Sequence, residues 1–259
     1  MFYGKLPILL LAEVAGGSSD STNGRIASYI LEHFDEVRND SIKDLAGKCF
    51  VSTSSISRFC RDIGLNDFAE LRELIVETDL KFERCSENSE DADVRNQEFT
   101  ARVQDGIRNV SDSIDMDQIR KLVRDIRTYK KVSAFGLLKA ETAAMNLQTN
   151  FLMLGKLINT KLHFSQQIEY LEQADEEDLI IIFSFTGIYF DYEYSQNRID
   201  PNIKRPKIYF ITGNPYVKKS PFINEIIYFR SDQNQPSHPY QLQFAADLIA
   251  QEYAHKIEF

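Results

Sequence analysis

Two groups of residues in this chain have the chemistry to hold phosphate. The first is Ser52, Thr53, Ser54, Ser57, Arg58 and Arg61, small hydroxyls with two guanidinium groups, spaced so that one face of a single helix carries them, with Lys43 a short way upstream. Hydroxyls and arginines at that spacing suit phosphate oxygens and base edges. The second group lies at the ends of β-rich runs: Gly136 and Lys139 in FGLLKA, Ser184, Thr186 and Gly187 in SFTG, and Thr212 in TGN. Beyond the carboxyl ends of parallel strands, hydroxyls, an ammonium and glycine amides can cradle a phosphate.

The elements that must position the first group are short amphipathic helices. Ile26, Tyr29, Ile30 and Phe34 recur at helical spacing after Asp20-Ser21-Thr22, which can cap. Ser41 caps a second helix with Ile42, Leu45 and Ala46 inward, Cys49-Phe50-Val51 turns, and Ser52 caps a third with Ile56, Phe59 and Ile63 inward. A fourth follows Gly64, with Phe68, Leu71, Ile75 and Phe82 as its apolar face. A DNA-reading bihelical unit needs a small residue at the crossing, a tight turn and two apolar locks; Ala46, Val51, Ile56 and Phe59 supply them. A three-helix packing unit that touches no DNA has the same pattern, and Phe50 stands where many such turns have glycine, which implies a different turn geometry.

The second group needs a parallel sheet. Lys131 to Phe135, a weak run at Lys156 to Asn159, Leu179 to Phe183, Lys207 to Thr212 and Ile226 to Arg230 alternate with helical stretches, and near-continuous apolar strands such as LIIIF call for burial on both faces. The expectation is an all-α helix-turn-helix domain over 1–82, a polar linker over 83–98, and an α/β domain over 99–259 whose five-stranded parallel sheet lies in a Rossmann-like three-layer arrangement. Helices are expected over Phe99 to Val110 and Met116 to Tyr129.

Composition narrows the function. Hydrophobic content of 43% with 12% aromatics excludes disorder as the main state. Cys49, Cys60 and Cys85 make no ligand pattern or disulfide framework, which suits a reducing, cytoplasmic setting. The apolar stretch Leu6 to Ala12 is too short for a membrane span and reads as a packing or dimerising arm. The net charge of −9 opposes nucleic-acid binding overall. Locally, from Ser41 to Asp62, four cations (Lys43, Lys48, Arg58 and Arg61) stand against Asp44 and Asp62.

The stretch RIASYILEHFDEVRNDSIKDLAGKCFVSTSSISRFCRDIGLNDFAELRELI resembles the N-terminal domain of the RpiR/MurR regulators, above all in SISRFCR. The remainder fits the same family's sugar isomerase (SIS) domain, so the likeness runs from about Thr22 to Ile257. It implies a bacterial transcription regulator that binds a double-stranded DNA operator as a homodimer or homotetramer and senses a phosphorylated sugar, with no cofactor, metal or membrane partner. Ser184-Phe185-Thr186-Gly187 is similar to the family's Ser-x-Ser-Gly phosphate loop, with Thr186 keeping the second hydroxyl. Gly136-Leu137-Leu138-Lys139-Ala140 departs from Gly-x-Gly-x-Ser: Leu138 removes a glycine and Ala140 a hydroxyl, while Lys139 adds a cation. A regulator whose SIS domain no longer senses is therefore an alternative. A sugar-phosphate isomerase is a weaker one, because no compact Glu/His pair follows Gly187 to act as acid and base; no catalytic residue is assigned. His163 and His238 are neighbours of the pocket, and the tyrosine cluster Tyr189 to Tyr194 could line it.

Overall fold

The computed structural model describes residues 5–16, 21–78, 80, 82–85, 89–190, 205–217 and 221–255. In chain order its elements are α1 (Lys5–Gly16), α2 (Thr22–Glu32), α3 (Ile42–Lys48), α4 (Thr53–Asp62), α5 (Phe68–Glu77), α6 (Ala92–Ser113), α7 (Met116–Thr128), β1 (Lys131–Phe135), α8 (Lys139–Met153), α9 (Phe164–Gln173), β2 (Asp178–Phe183), β3 (Lys207–Thr212), β4 (Glu225–Tyr228) and α10 (His238–His255). They divide into two compact units. One holds α1 to α5 together with Lys161–Gln173; the other holds Phe82–Thr160, Ala174–Tyr189 and the described residues from 205 onward.

In the helical unit, apolar residues at three- and four-residue spacing fix which face turns inward. The Leu6 to Ala12 stretch is part of α1, with Leu6, Leu9, Leu10 and Ala12 buried, and α1 packs on α2, where Ile26, Ala27 and Ile30 are buried. Ser21 caps α2 by accepting the Gly24 N–H at 2.9 Å. Asp67 caps α5 in the same way through Glu70 N–H at 3.0 Å. Leu71 and Ile75 of α5 are buried, but the helix ends at Glu77, so Phe82 falls outside the expected apolar face and is 83% exposed.

The α/β unit is built on strands that are dry on both faces. Every residue of β2, DLIIIF, is buried, as parallel strands covered by helices require. The sheet order is β1-β2-β3-β4, all parallel, in registers that set Phe135 beside Ile182 and Phe183 beside Ile211. The expected fifth strand is not one. Lys156 to Asn159 makes a single parallel bridge, Asn159 with Ser133, through Ala134 N–H to Asn159 O (2.8 Å) and Asn159 N–H to Val132 O (2.9 Å). It emerges directly from the tight turn that ends α8 and leaves β1 after that bridge, too short to form a ladder, so the sheet has four strands among the described residues.

Helices pack on the sheet and on one another. Ile119, Leu122, Val123 and Ile126 line the buried face of α7, and Asp125 of that helix accepts bonds from Tyr209 Oη (2.5 Å) and Lys207 Nζ (2.6 Å) of β3. Alanine pairs on the buried sides of α8 (Ala143, Ala144) and α10 (Ala245, Ala246) suit close helix packing. Asn146 and Asn150 then tie α8 to Asp247 of α10, each at 2.8 Å. The polar stretch expected as a linker is helical from Ala92, seven residues before the expected helix start at Phe99, with Asp91 as its cap. At its other end Glu83 exchanges bonds with Gln235 and pairs with Arg102 at 3.0 Å.

Candidate nucleic-acid interface and strand-end site

The reading unit is α3, its turn and α4. Ser41 and Asp44 form a capping box: the Ser41 hydroxyl accepts Asp44 N–H at 3.2 Å and the Asp44 carboxylate accepts Ser41 N–H at 3.0 Å. The Ser41 hydroxyl also donates to the Asp44 carboxylate at 2.6 Å, and this bond, with that from Ser41 N–H, holds the Asp44 carboxyl below its usual value. Ser52 caps α4 by accepting Ser55 N–H at 3.1 Å. Ala46 at the crossing and Ile56 and Phe59 on α4 are buried, the last two completely, so the bihelical lock closes as the spacing predicts.

The turn does not take the different geometry that Phe50 implied. Phe50 sits at φ 54, Val51 N–H reaches back to Ala46 O at 2.9 Å and Phe50 N–H to Gly47 O at 3.1 Å. This is the Schellman close, with phenylalanine in the left-handed position that glycine normally fills. Its ring is 90% exposed.

The outward face of α4 carries the predicted residues. Thr53, Ser54, Arg58 and Arg61 are placed there with Ser52 at the cap; Ser52, Thr53, Ser54, Arg58 and Arg61 are exposed, Ser57 is half-buried, and Ser57 donates back to Thr53 O at 3.2 Å. Lys43 on α3 is exposed. Lys48 contributes less than the charge count suggested, because its ammonium is held by both oxygens of Asp40 at 2.9 Å. Asp62 is engaged by the Asn23 amide at 3.0 Å, and Arg58 borders a polar cavity of about 340 Å³ that also has Glu13, Asn23, Asp62 and His163 in its wall. His163 pairs with Glu13 at 3.7 Å within this helical unit. The remaining cations of the face are Lys43, Arg58 and Arg61.

At the other site, the parallel registers bring the loops after β1, β2 and β3 to one edge of the sheet. Gly136 passes so close to the first turn of α8 that a Cβ would lie 2.6 Å from Ala140 backbone atoms. Leu138 keeps a positive φ of 53 at the start of α8, the backbone of a glycine carrying a leucine side chain. Lys139 begins α8. Ser184 is buried and Thr186 half-buried. Gly187, at φ 80, closes a turn by donating to Ser184 O at 3.1 Å. Thr212 is fully buried and its hydroxyl is used inside the protein, donating to Phe185 O at 3.2 Å and accepting Asn214 N–H at 3.1 Å.

Three further residues shape this edge. Asn214 donates to Thr186 O at 2.7 Å, fixing the phosphate-type loop from the neighbouring strand end. His238 is buried, bonds Gln235 O through Nδ1 at 3.0 Å and packs its ring on Phe185 of this loop at 4.8 Å. Burial, with Lys139 nearby, pushes its pKa down to about 4. Glu141 in the first turn of α8 was not singled out by sequence: one carboxylate oxygen is buried without a hydrogen-bond partner, and burial raises its pKa to about 7. A lone glutamate in a helical stretch gives no sequence signal of that kind. Tyr189 and Phe190 are buried, while the rest of the tyrosine cluster lies outside the described residues. No helix among the described residues is long and apolar enough to cross a membrane.

Comparison with known proteins places both units. Residues 17–80 match the helix-turn-helix domain of the rpiR family. An uncharacterised HTH-type transcriptional regulator of Caldanaerobacter subterraneus subsp. tengcongensis is 40% identical over 65 residues, 25% of this chain and 23% of that relative, so the likeness spans about a quarter of the relative's length. Two solved structures share the SIS-like α/β fold. A candidate phosphosugar isomerase involved in capsule formation from Bacteroides fragilis covers 64% of this chain and 91% of its own, with TM-score 0.50 and 20% identity. A protein of E. coli CFT073, solved in complex with a ligand, covers 64% and 93%, with TM-score 0.51 and 14% identity.

Proposed function

We propose that this chain, which carries an rpiR-family helix-turn-helix domain over residues 17–80, is a bacterial transcription regulator that reads duplex DNA through α4 and answers to a phosphorylated sugar at the strand ends of its α/β unit. The observation that carries the reading is the outward face of α4. Arg58, Arg61, Thr53 and Ser54 stand on a helix locked by Ile56 and Phe59 and capped by Ser52. Two copies on a palindromic operator would double these contacts and offset the acidic whole. In this reading the protein works in the cytoplasm, and the α/β unit senses rather than catalyses. The experiment is selection of duplexes from a randomised pool, followed by mobility shift at moderate salt. Enrichment of a palindromic sequence is expected; binding without sequence preference would sink the reading.

For the effector, the solved structures of like fold include a candidate phosphosugar isomerase, and Ser184 and Thr186 offer two hydroxyls for a phosphate in a turn that Gly187 closes. One observation favours a second reading, in which the unit holds no effector. The Thr212 hydroxyl is spent on Phe185 and Asn214, and Leu138 occupies a glycine-like conformation with a bulky side chain. A thermal-shift screen of phosphorylated sugars separates the two: a shift abolished by Ser184→Ala with Thr186→Ala supports sensing, and no shift from any of them supports the second reading.

A further inference from the structure

Among the described residues, three helices end in the same backbone motif. After α4, Gly64 sits at φ 86, with Leu65 N–H bonded to Cys60 O and Gly64 N–H to Arg61 O. After α8, Gly155 sits at φ 77, with Lys156 N–H bonded to Phe151 O and Gly155 N–H to Leu152 O. After α3, Phe50 takes that place at φ 54 with the matching pair of bonds. The left-handed conformation is free for glycine and costly for a bulky side chain. A phenylalanine there is compensated when its ring packs into the core, but this ring is 90% exposed. Within the folded chain the residue therefore brings backbone strain and gains almost no burial, and observed strain of this kind points toward a function outside the fold's own stability.

Its surroundings indicate the partner. Phe50 lies two residues before Ser52, and the exposed Ser52, Thr53 and Ser54 that open α4 follow it directly. Beyond them stand Arg58 and Arg61 on the same helix. No acidic side chain lies between Lys48 and Arg61, so an anionic polymer meets no repulsion along this edge. An exposed aromatic beside donors suits a surface that alternates phosphate with apolar ground, which is what deoxyribose rings and thymine methyl groups provide.

We infer that Phe50 is an apolar DNA-contact residue, its ring placed by the left-handed turn against sugar or thymine methyl at the edge of the groove that α4 enters. The inference rests on the reading of α4 as the DNA-binding helix. Phe50→Gly in the full chain tests it, because glycine removes the ring while suiting the turn, so the variant should fold with a melting temperature equal to or above that of the wild type. Binding is measured to one duplex selected by the wild-type chain from a randomised pool, over a series of salt concentrations. Loss of affinity of about tenfold is expected, the scale of one base-pair contact, with the salt slope unchanged because no phosphate charge is lost. Wild-type affinity in Phe50→Gly would overturn the inference. A change in sedimentation without DNA would also overturn it, assigning the ring to a second copy of the chain. If the wild type selects no duplex, the regulator reading itself fails and takes this inference with it.

Discussion

The hydroxyl of Thr212 donates to the carbonyl of Phe185 at 3.2 Å across the end of the sheet, and it accepts from Asn214 at 3.1 Å. One buried side chain thus pins the loop after β2 to the loop after β3. Thr212→Val leaves the buried Phe185 carbonyl unsatisfied and removes the acceptor of the half-buried Asn214 N–H, and should cost about 1–3 kcal/mol, read by urea denaturation. Stability equal to the wild type would show that the bonds do not hold the two loops together.

His238 gives the α/β unit an acid weakness. Its pKa is depressed from 6.5 to about 4 by burial, so the unfolded chain takes up the proton first as the pH falls. The stability is fully present above pH 6.5 and is lost progressively toward pH 4, by an amount on the order of 3 kcal/mol. His238→Gln should flatten the stability profile across that window. An unchanged profile would place the acid sensitivity elsewhere.

Glu141 acts in the opposite sense. Burial raises its pKa from 4.5 to about 7, so folding favours the protonated form, and its contribution is fully present below pH 4.5 and lost as the pH rises through 7. Glu141→Gln should match the wild type in melting temperature near pH 4.5 and exceed it near pH 8. A variant that melts below the wild type at pH 8 would mean that the ionised carboxylate has a stabilising partner.

Gly187 closes the SFTG turn at φ 80, and a Cβ there would lie 2.2 Å from a methyl of Val217. Gly187→Ala should lose at least about 1 kcal/mol, since strain and clash add, and any phosphosugar-induced thermal shift should go with it. An alanine variant of wild-type stability would contradict this turn geometry.

What sequence could read was what periodicity and caps encode. Ser41 and Ser52 announced α3 and α4, and Ile56 and Phe59 announced the lock, because each depends on residues within a turn or two of itself. The dry strands β2 and β3 were legible from their apolar runs. The fifth strand failed because Lys156 to Asn159 comes straight out of the turn that ends α8 and meets β1 only at the bridge of Asn159 with Ser133, a limit of placement that its composition does not show. Phe50 misled for a related reason: propensity predicts that a bulky residue avoids the left-handed turn, and only the bonds of Val51 to Ala46 and Phe50 to Gly47 show that the motif holds. At the strand ends, Thr212 was readable as a hydroxyl in the right loop, but whether it faces a ligand or the neighbouring backbone depends on tertiary placement. The same holds for the buried oxygen of Glu141.

The central claim is that α4 reads DNA through its outward basic face. Its most direct test compares Arg58→Ala with Lys130→Ala, which removes an equal charge from a lysine 80% exposed in the α/β unit, in titrations of the selected duplex over a range of salt concentrations. Arg58→Ala should weaken binding about 10–100-fold and lower the salt slope by about one, while Lys130→Ala leaves both near wild type. Equal effects of the two substitutions would contradict the account.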